Sequence, residues 1–140
     1  MEINKIYNEN CLETMAKMPD NFIDLTVTSP PYDDLRTYKG YSFDFENVAK
    51  ELWRITKQGG VIIWVVGDQT KDGSESGTSF RQALYFKELG FNLHDTMIYQ
   101  KSVPPMNDKR YQHNFEYMFV FVKGKLKTFN PIMVEKKIQR

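Results

Sequence analysis

The sequence predicts an α/β fold, a mostly parallel sheet with an antiparallel strand at one edge, on three observations. Strand and helix patterns alternate along 140 residues, a length that suits one compact domain spanning 1–140. Residues 61–66 are uninterruptedly apolar, as is typical of a strand covered on both faces. The last two strand candidates, 92–99 and 115–122, are joined without a packing helix, which predicts an antiparallel pair.

The N-terminal elements follow from short patterns. Residues 3–7 predict a strand, and Asn10 predicts the cap of a short helix that ends before Pro19. Residues 22–28 are rich in β-branched and apolar side chains and predict a buried strand. That strand stops at Pro30-Pro31, because proline cannot donate a hydrogen bond to a strand ladder.

Two longer helices are predicted in the middle of the chain. Asp44 marks the start of the first, whose apolar residues recur at spacings of three and four, and Gly59-Gly60 predicts its end. Ser79 and Gln82 have the spacing of a capping box, which predicts the start of the second helix. Gly90 predicts its end.

Two loops follow the carboxyl ends of the predicted parallel strands. They span 29–42 and 67–77. Because ligands of parallel α/β sheets bind beyond the carboxyl ends of the strands, these loops are expected to flank a ligand crevice.

Composition excludes several classes of protein. The net charge is +1, so nothing draws the whole chain to nucleic acid or membranes, although residues 121–140 carry six basic groups against one acidic group. The longest aliphatic and aromatic run is six residues, far short of the roughly 20 that span a bilayer. Cys11 is the only cysteine, and His94 and His113 lack ligand-spaced partners, so no disulfide and no metal site is expected. Without a secretory signal, the expected location is cytoplasmic.

The stretch Ser29-Pro30-Pro31-Tyr32 carries the most chemical information. Consecutive prolines stiffen the chain and leave carbonyl groups without competing N–H donors. The Ser29 hydroxyl and the Pro30 carbonyl are then acceptors for a planar NH₂ group, and Tyr32 offers a ring face to the aromatic system that bears it. A nucleobase amine fits this description.

Cys11 lies at a helix start and is expected to be a small buried residue.

Ser29-Pro30-Pro31-Tyr32 resembles the catalytic motif of DNA methyltransferases that methylate exocyclic amines, in the permuted group where this motif precedes the cofactor-binding glycine motif. The resemblance covers nearly all of the chain. Further similar segments are Asn8-Glu9-Asn10-Cys11-Leu12-Glu13, Glu51-Leu52-Trp53-Arg54-Ile55 with Gly59-Gly60, Met97-Ile98-Tyr99-Gln100-Lys101, and Phe115-Glu116-Tyr117-Met118-Phe119-Val120.

The resemblance implies a Rossmann-like methyltransferase sheet that transfers a methyl group from S-adenosyl-L-methionine to DNA, as in restriction-modification. Ser29, Pro30, Pro31 and Tyr32 are the implied catalytic residues, and a serine at the first position favours N4 of cytosine over N6 of adenine. The implied cofactor contacts are Asn10, Cys11, Ser29 and Pro30. The target base must leave the duplex. Candidate DNA contacts are Arg36, Lys101, Lys109 and Arg110, with the run Lys123, Lys125, Lys127.

The chain also departs from the family pattern. It contains no Gly-x-Gly, and Asn10 stands where an acidic residue is expected. The sheet is therefore expected to be incomplete, the cofactor-binding C-terminal part to be absent, and a second chain is a possible source of the missing half. Two alternatives remain open: a non-catalytic DNA-binding remnant, and a methyltransferase acting on RNA or protein glutamine.

Overall fold

The computed structural model describes residues 1–31, 42–102 and 109–136, and every structural statement below refers to these ranges. Three helices and six strands lie within them. In chain order they are α1 (Cys11–Ala16), β1 (Ile23–Thr28), α2 (Phe45–Ile55), β2 (Thr56–Val66), β3 (Thr70–Lys71), β4 (Ser74–Glu75), α3 (Thr78–Leu89), β5 (Asn92–Gln100) and β6 (Phe115–Val122). None of these helices is long and apolar enough to cross a membrane.

Four strands form one sheet in the order β1-β2-β6-β5. Strands β1 and β2 are parallel, whereas β6 is antiparallel to both of its neighbours. Three of the four strands therefore point the same way, and β5 forms the expected antiparallel pair at one edge. The strand that runs against the others, β6, lies inside the sheet. Its N-terminal end consequently meets the carboxyl ends of β1 and β2.

The hydrophobic core lies on one face of this sheet. The central strands contribute their alternate residues Ile62, Trp64, Phe119 and Phe121, against which α2 packs its buried side chains. From α3, Phe86 is fully buried against Trp64 and Phe121, with ring centroids 5.0 and 4.7 Å apart. The two helices thus cover this face because their apolar residues recur at helical spacing.

The opposite face of the sheet is also apolar, but none of the three helices covers it. Leu25 and Val27 of β1 stand beside Val61 and Ile63 of β2 in the strand register. Leu25 is 57% exposed and Val27 is 65% exposed. No described strand pairs with the outer edge of β1. The sheet is therefore open at β1, as the missing glycine motif predicted.

The predicted strand at 3–7 is wrong. These residues form no strand, and Ile3 and Ile6 are 74% and 94% exposed. A β-strand is stable only when its N–H and C=O groups pair with a neighbour, and no described strand lies beside this segment.

The predicted helix end at Gly59-Gly60 is also wrong. Helix α2 ends at Ile55, and β2 continues directly from Thr56 through both glycines. Gly59 has a φ of +82°, and a Cβ atom there would stand 2.4 Å from Lys127 Cγ. The glycine pair therefore serves a sharp bend with a close crossing of the C-terminal segment, which in sequence looks the same as a helix stop.

The predicted capping box of Ser79 and Gln82 is wrong, although α3 lies close to its predicted position. The N-cap residue is Gly77, which has no side chain. Asp68 supplies the cap instead: its carboxylate accepts the Ser79 N–H at 2.8 Å and also the Ser79 hydroxyl. Gln82 is buried, and its Oε1 accepts the Trp64 Nε1–H at 2.9 Å. At its other end α3 stops at Gly90 in the left-handed conformation, as predicted.

Arg54 fastens α1 to α2. Its guanidinium donates to the carbonyl oxygens of Met15, near the end of α1, and of Met18, just after it, both at 2.8 Å. The same guanidinium pairs with Glu51 at 2.7 Å and with Asp20 at 2.8 Å. Arg54 therefore adds a polar attachment to the core packing of Met15 and Leu12, which also holds α1.

We expect Arg54→Ala to lower the free energy of unfolding by about 2 kcal/mol, because charge-assisted hydrogen bonds are lost at two carbonyls. Urea unfolding measures the change, with the exposed Lys50→Ala on the same helix as the control. Arg54 holds the pKa of Glu51 below its ordinary value of 4.5. The contribution of the Arg54–Glu51 pair to the free energy of unfolding is therefore complete above pH 4.5 and is lost as the pH falls below it. The difference in unfolding free energy between wild type and Arg54→Ala is then smaller in acid. Equal stability of the two variants at pH 7 contradicts this role.

Candidate active site

The carboxyl ends of β1 and β2 lie side by side. Thr28 is the register partner of Trp64, so the chain leaves β1 at Ser29 beside the point where β2 reaches Val66 and continues to Asp68. The parallel pairing therefore brings the starts of loops 29–42 and 67–77 to one edge of the sheet, as predicted. This edge is the expected place for a ligand.

A cavity of about 290 Å³ lies at the end of β1. The turn after β1 provides its rim, the core face of the sheet its floor, and the first two helices its side. Its lining residues are Cys11, Met15, Thr26, Thr28, Ser29, Pro30, Pro31, Phe43, Val48, Leu52 and Trp64. The volume is at the small end of the range for ligand pockets.

Three of the four predicted catalytic residues line this cavity. Ser29 is exposed, Pro30 is buried and Pro31 is half-buried, so the turn is anchored by its first proline and presents the serine to the opening. Tyr32 lies outside the described residues. The structure therefore places the serine and the two prolines in one site.

The floor of the cavity is aromatic. Trp64 is 1% exposed, and its hydrogen bond to Gln82 fixes the plane of the indole. Phe43 stands against it with a centroid distance of 6.3 Å. Apolar ring faces with a few polar groups at the rim form the kind of pocket that holds a planar heterocycle. Sequence reasoning missed both residues as site residues, although Trp64 stands out as the one indole in an otherwise aliphatic strand.

The predicted cofactor residues behave differently from one another. Cys11 lines the cavity and is exposed, so the expectation that it is buried is wrong. It is exposed because it is the first residue of α1, where the helix faces solvent and the cavity mouth. Asn10 caps α1 by accepting the Leu12 N–H at 3.0 Å, as predicted. Three of the four predicted cofactor residues, Cys11, Ser29 and Pro30, therefore line one cavity, and Asn10 lies next to Cys11 in the chain.

Three of the predicted DNA contacts lie near the same edge. Lys101 pairs with Glu116 at 2.6 Å, at the crevice end of β6. Arg110 donates to the Gly73 carbonyl at 2.6 Å, which ties the segment before β6 to the β3–β4 hairpin. Lys109 is exposed beside it. Arg36 lies outside the described residues.

The basic run at 123–127 lies at the opposite edge of the sheet, because β6 runs antiparallel and ends beside the start of β2. Lys123 is buried there. Its Nζ donates to the carbonyl oxygens of Trp53 at 2.6 Å and Thr56 at 2.9 Å, and it stands 4.6 Å from the Trp53 ring centroid. Burial lowers the pKa of Lys123. This lysine stabilises the junction between α2 and β2 and does not join the DNA contacts predicted for the crevice.

Comparison with known proteins extends these observations. Residues 23–140 match the N6/N4 methyltransferase family, described as DNA methylase. The orphan methyltransferase M.BamHII of Bacillus amyloliquefaciens is 70% identical over 112 residues, which cover 79% of this chain and 42% of that protein. The type II methyltransferase M.BglII of Bacillus subtilis is 28% identical over 144 residues, which cover 96% of this chain and 40% of that protein.

Solved structures share the fold. The PvuII DNA methyltransferase, which is cytosine-N4-specific, matches 86% of this chain and 49% of its own with a TM-score of 0.70 and 22% identity. The complex of M1.HpyAVI with SAM matches 96% of this chain and 61% of its own with a TM-score of 0.67 and 20% identity. The chain spans less than half the length of the two curated relatives. The family match over 118 of its 140 residues, 23–140, shows that this chain belongs to the DNA methylase family.

Proposed function

We propose that residues 1–140 are the catalytic portion of a DNA methyltransferase that uses S-adenosyl-L-methionine to methylate the exocyclic amine of a base. One observation carries the proposal: the Ser29-Pro30-Pro31 turn lines a cavity whose floor is the fixed ring of Trp64. A cytoplasmic location accompanies this proposal, since DNA and cofactor are available there.

The chemistry follows from the acceptors at the rim. The lone pair of a nucleobase amine is delocalised into the ring, which makes that amine a poor nucleophile. Hydrogen bonds from the NH₂ group to the Ser29 hydroxyl and the Pro30 carbonyl draw the nitrogen toward sp³ geometry and aim its lone pair. A nitrogen–carbon bond to the methyl group forms as the sulfur–carbon bond breaks, and the amine then loses a proton to solvent.

The same cavity is the proposed binding place for part of the methyl donor. S-adenosyl-L-methionine supplies an electrophilic methyl group and carries an adenine ring of its own. Cys11, Ser29 and Pro30 are the residues that would hold it, with Asn10 keeping Cys11 in place through the cap of α1. The apolar floor excludes water from the reacting groups.

Cytosine N4 is the favoured target over adenine N6. The support is the serine at the first position of the tetrapeptide, which resembles the cytosine-N4 members. The alternative substrates, RNA and protein glutamine, are distinguished by the transfer assay described next.

We expect Ser29→Ala to lower methyl transfer at least about tenfold, because one of two acceptors that orient the amine is lost. The assay combines this chain with the polypeptide segment that completes the fold, as proposed below, with labelled S-adenosyl-L-methionine and with unmethylated DNA. Nucleoside analysis identifies N4-methylcytosine or N6-methyladenine. Ser42→Ala is the control, an exposed serine at the far end of the same loop. Transfer by Ser29→Ala at the wild-type rate overturns the assignment, and transfer to RNA or protein alone redirects it.

We expect S-adenosyl-L-methionine to slow alkylation of Cys11, because the only cysteine of the chain is exposed and lines the proposed binding cavity. Mass spectrometry after timed iodoacetamide treatment measures the rate with and without the cofactor. S-adenosylhomocysteine should protect equally, and adenosine triphosphate should not. An unchanged rate at saturating cofactor contradicts the placement of the cofactor here.

We further propose that the open edge of β1 binds the remaining half of the methyltransferase fold, supplied by another polypeptide segment. The support is the outer edge of β1, which pairs with no described strand, and the exposed Leu25 and Val27 beside it. The relatives M.BamHII and M.BglII are more than twice as long as their matched regions. A strand added beside β1 satisfies its backbone groups, and a helix following it covers the apolar face.

We expect this chain to form a complex with the portion of M.BamHII outside the matched region, and methyl transfer to require both polypeptides. Val27→Asp should weaken the complex at least about tenfold, because it buries a charge in the new interface. Val134→Asp is the control, at an 86% exposed position away from the sheet. Size-exclusion chromatography and the transfer assay provide the readouts. Full activity of the 140-residue chain alone contradicts the need for a partner.

A further inference from the structure

A row of aromatic side chains runs along one face of β6. Phe121, Phe119, Tyr117 and Phe115 occupy alternate positions, and His113 continues the row beyond the strand. Neighbouring ring centroids are 6.1, 5.5, 5.4 and 4.7 Å apart in that order. Because β6 is antiparallel, the row leaves the core at the crevice end of the sheet. The inner rings are core residues, whereas the outer ones stand at a functional edge.

The outer end of this row is accessible to solvent. The His113 side chain is 49% exposed, and Phe115 and Tyr117 are half-buried. Phe80 of α3 stands 5.4 Å from the Tyr117 ring and is itself 49% exposed. We call Phe80, His113, Phe115 and Tyr117 the aromatic platform. Exposed apolar rings gathered at one place are unfavourable in water and indicate a binding surface.

Basic residues come just before the platform in the chain, and one acidic side chain, Glu75, lies 3.9 Å from His113 Nδ1. Lys109 and Arg110 precede it in the chain, and the hydrogen bond from Arg110 to the Gly73 carbonyl holds this segment against the β3–β4 hairpin. Between Arg110 and the platform, Tyr111 is fully exposed. Aromatic faces next to basic side chains are the combination that binds single-stranded nucleic acid, by stacking of bases and by attraction of phosphates.

The platform lies close to the proposed active site. Tyr117 pairs with Val66, one step along the same sheet face from Trp64, which pairs with Phe119. Two strand spacings separate β6 from β1, about 10 Å across the sheet. Tyr117 and Phe115 also lie two and four residues beyond Phe119 along β6, roughly 7 and 13 Å. A DNA strand with one base in the cavity can therefore place a neighbouring base on the near end of the platform, at Phe80 and Tyr117.

We propose that the aromatic platform stacks against an unstacked base of the DNA strand, next to the base that enters the cavity. This inference rests on the proposed function only in placing DNA at this edge. Stacking of this kind does not discriminate between bases, because every base has a π-face. Its role is to hold the strand open while the target base is turned out.

The test uses the full chain and a single-stranded oligonucleotide that contains 2-aminopurine, whose fluorescence is quenched by stacking. Phe80→Ala and His113→Ala should each weaken binding about fivefold or more and reduce the quenching. Phe129→Ala is the matched control, since Phe129 is 74% exposed and lies outside the platform. Lys109→Ala should instead lower the salt dependence of binding without changing the quenching. Because His113 is exposed, its variant remains informative if Phe80→Ala fails to fold.

If Phe80→Ala and His113→Ala bind the oligonucleotide and quench its fluorescence as well as Phe129→Ala does, the proposed stacking on the platform is wrong. The Ser29→Ala transfer assay is read in parallel. Loss of platform binding with Ser29-dependent transfer intact leaves the proposed function standing. Stacking on the platform without any methyl transfer, with the completing polypeptide segment present, removes the proposed function and leaves the platform.

Discussion

The parallel pairing of β1 with β2 is the constraint on which the site depends. It sets Thr28 beside Trp64 and so brings the rigid turn at Ser29 over the indole ring. A shift of one residue in this register would turn Trp64 to the opposite face and remove the floor of the cavity. The register is held by the buried face, where Ile62 and Trp64 are 0% and 1% exposed. The packing that stabilises the core therefore also fixes the geometry of the site.

The helices and the loop around the site depend on polar contacts at helix ends. The short helix α1 fully buries one residue, Met15, and Arg54 binds two carbonyl groups at and just after its C-terminal end. Across the crevice, Asp68 caps α3 from a loop position just after β2. Both contacts use a charged group to complete a helix terminus. The first contact supports the helix that brings Cys11 to the cavity, and the second fixes the start of the loop that follows β2.

Patterns local in sequence predicted most of the fold. The apolar strand at 61–66, the Asp44 start of α2 and the Gly90 end of α3 were all found because their signals lie within a few residues. The failures required contacts distant in sequence. Gly59 bends a strand against Lys127, and Asp68 replaces a capping box from eleven residues before Ser79. The segment 3–7 has strand composition but no described neighbour to pair with.

The site was predictable for a related reason. A Ser-Pro-Pro turn after a buried strand is both a local signal and a position in the sheet, so Ser29 and Pro30 could be placed before any contact was known. The antiparallel run of β6 could not be used in the same way, although it decides which charges face the crevice. It buries Lys123 at the far edge and brings Arg110 and His113 to the near one. This edge is thus assembled from two opposite strand directions, with the Ser29-Pro30-Pro31 turn from the end of β1 and aromatic rings from the beginning of β6.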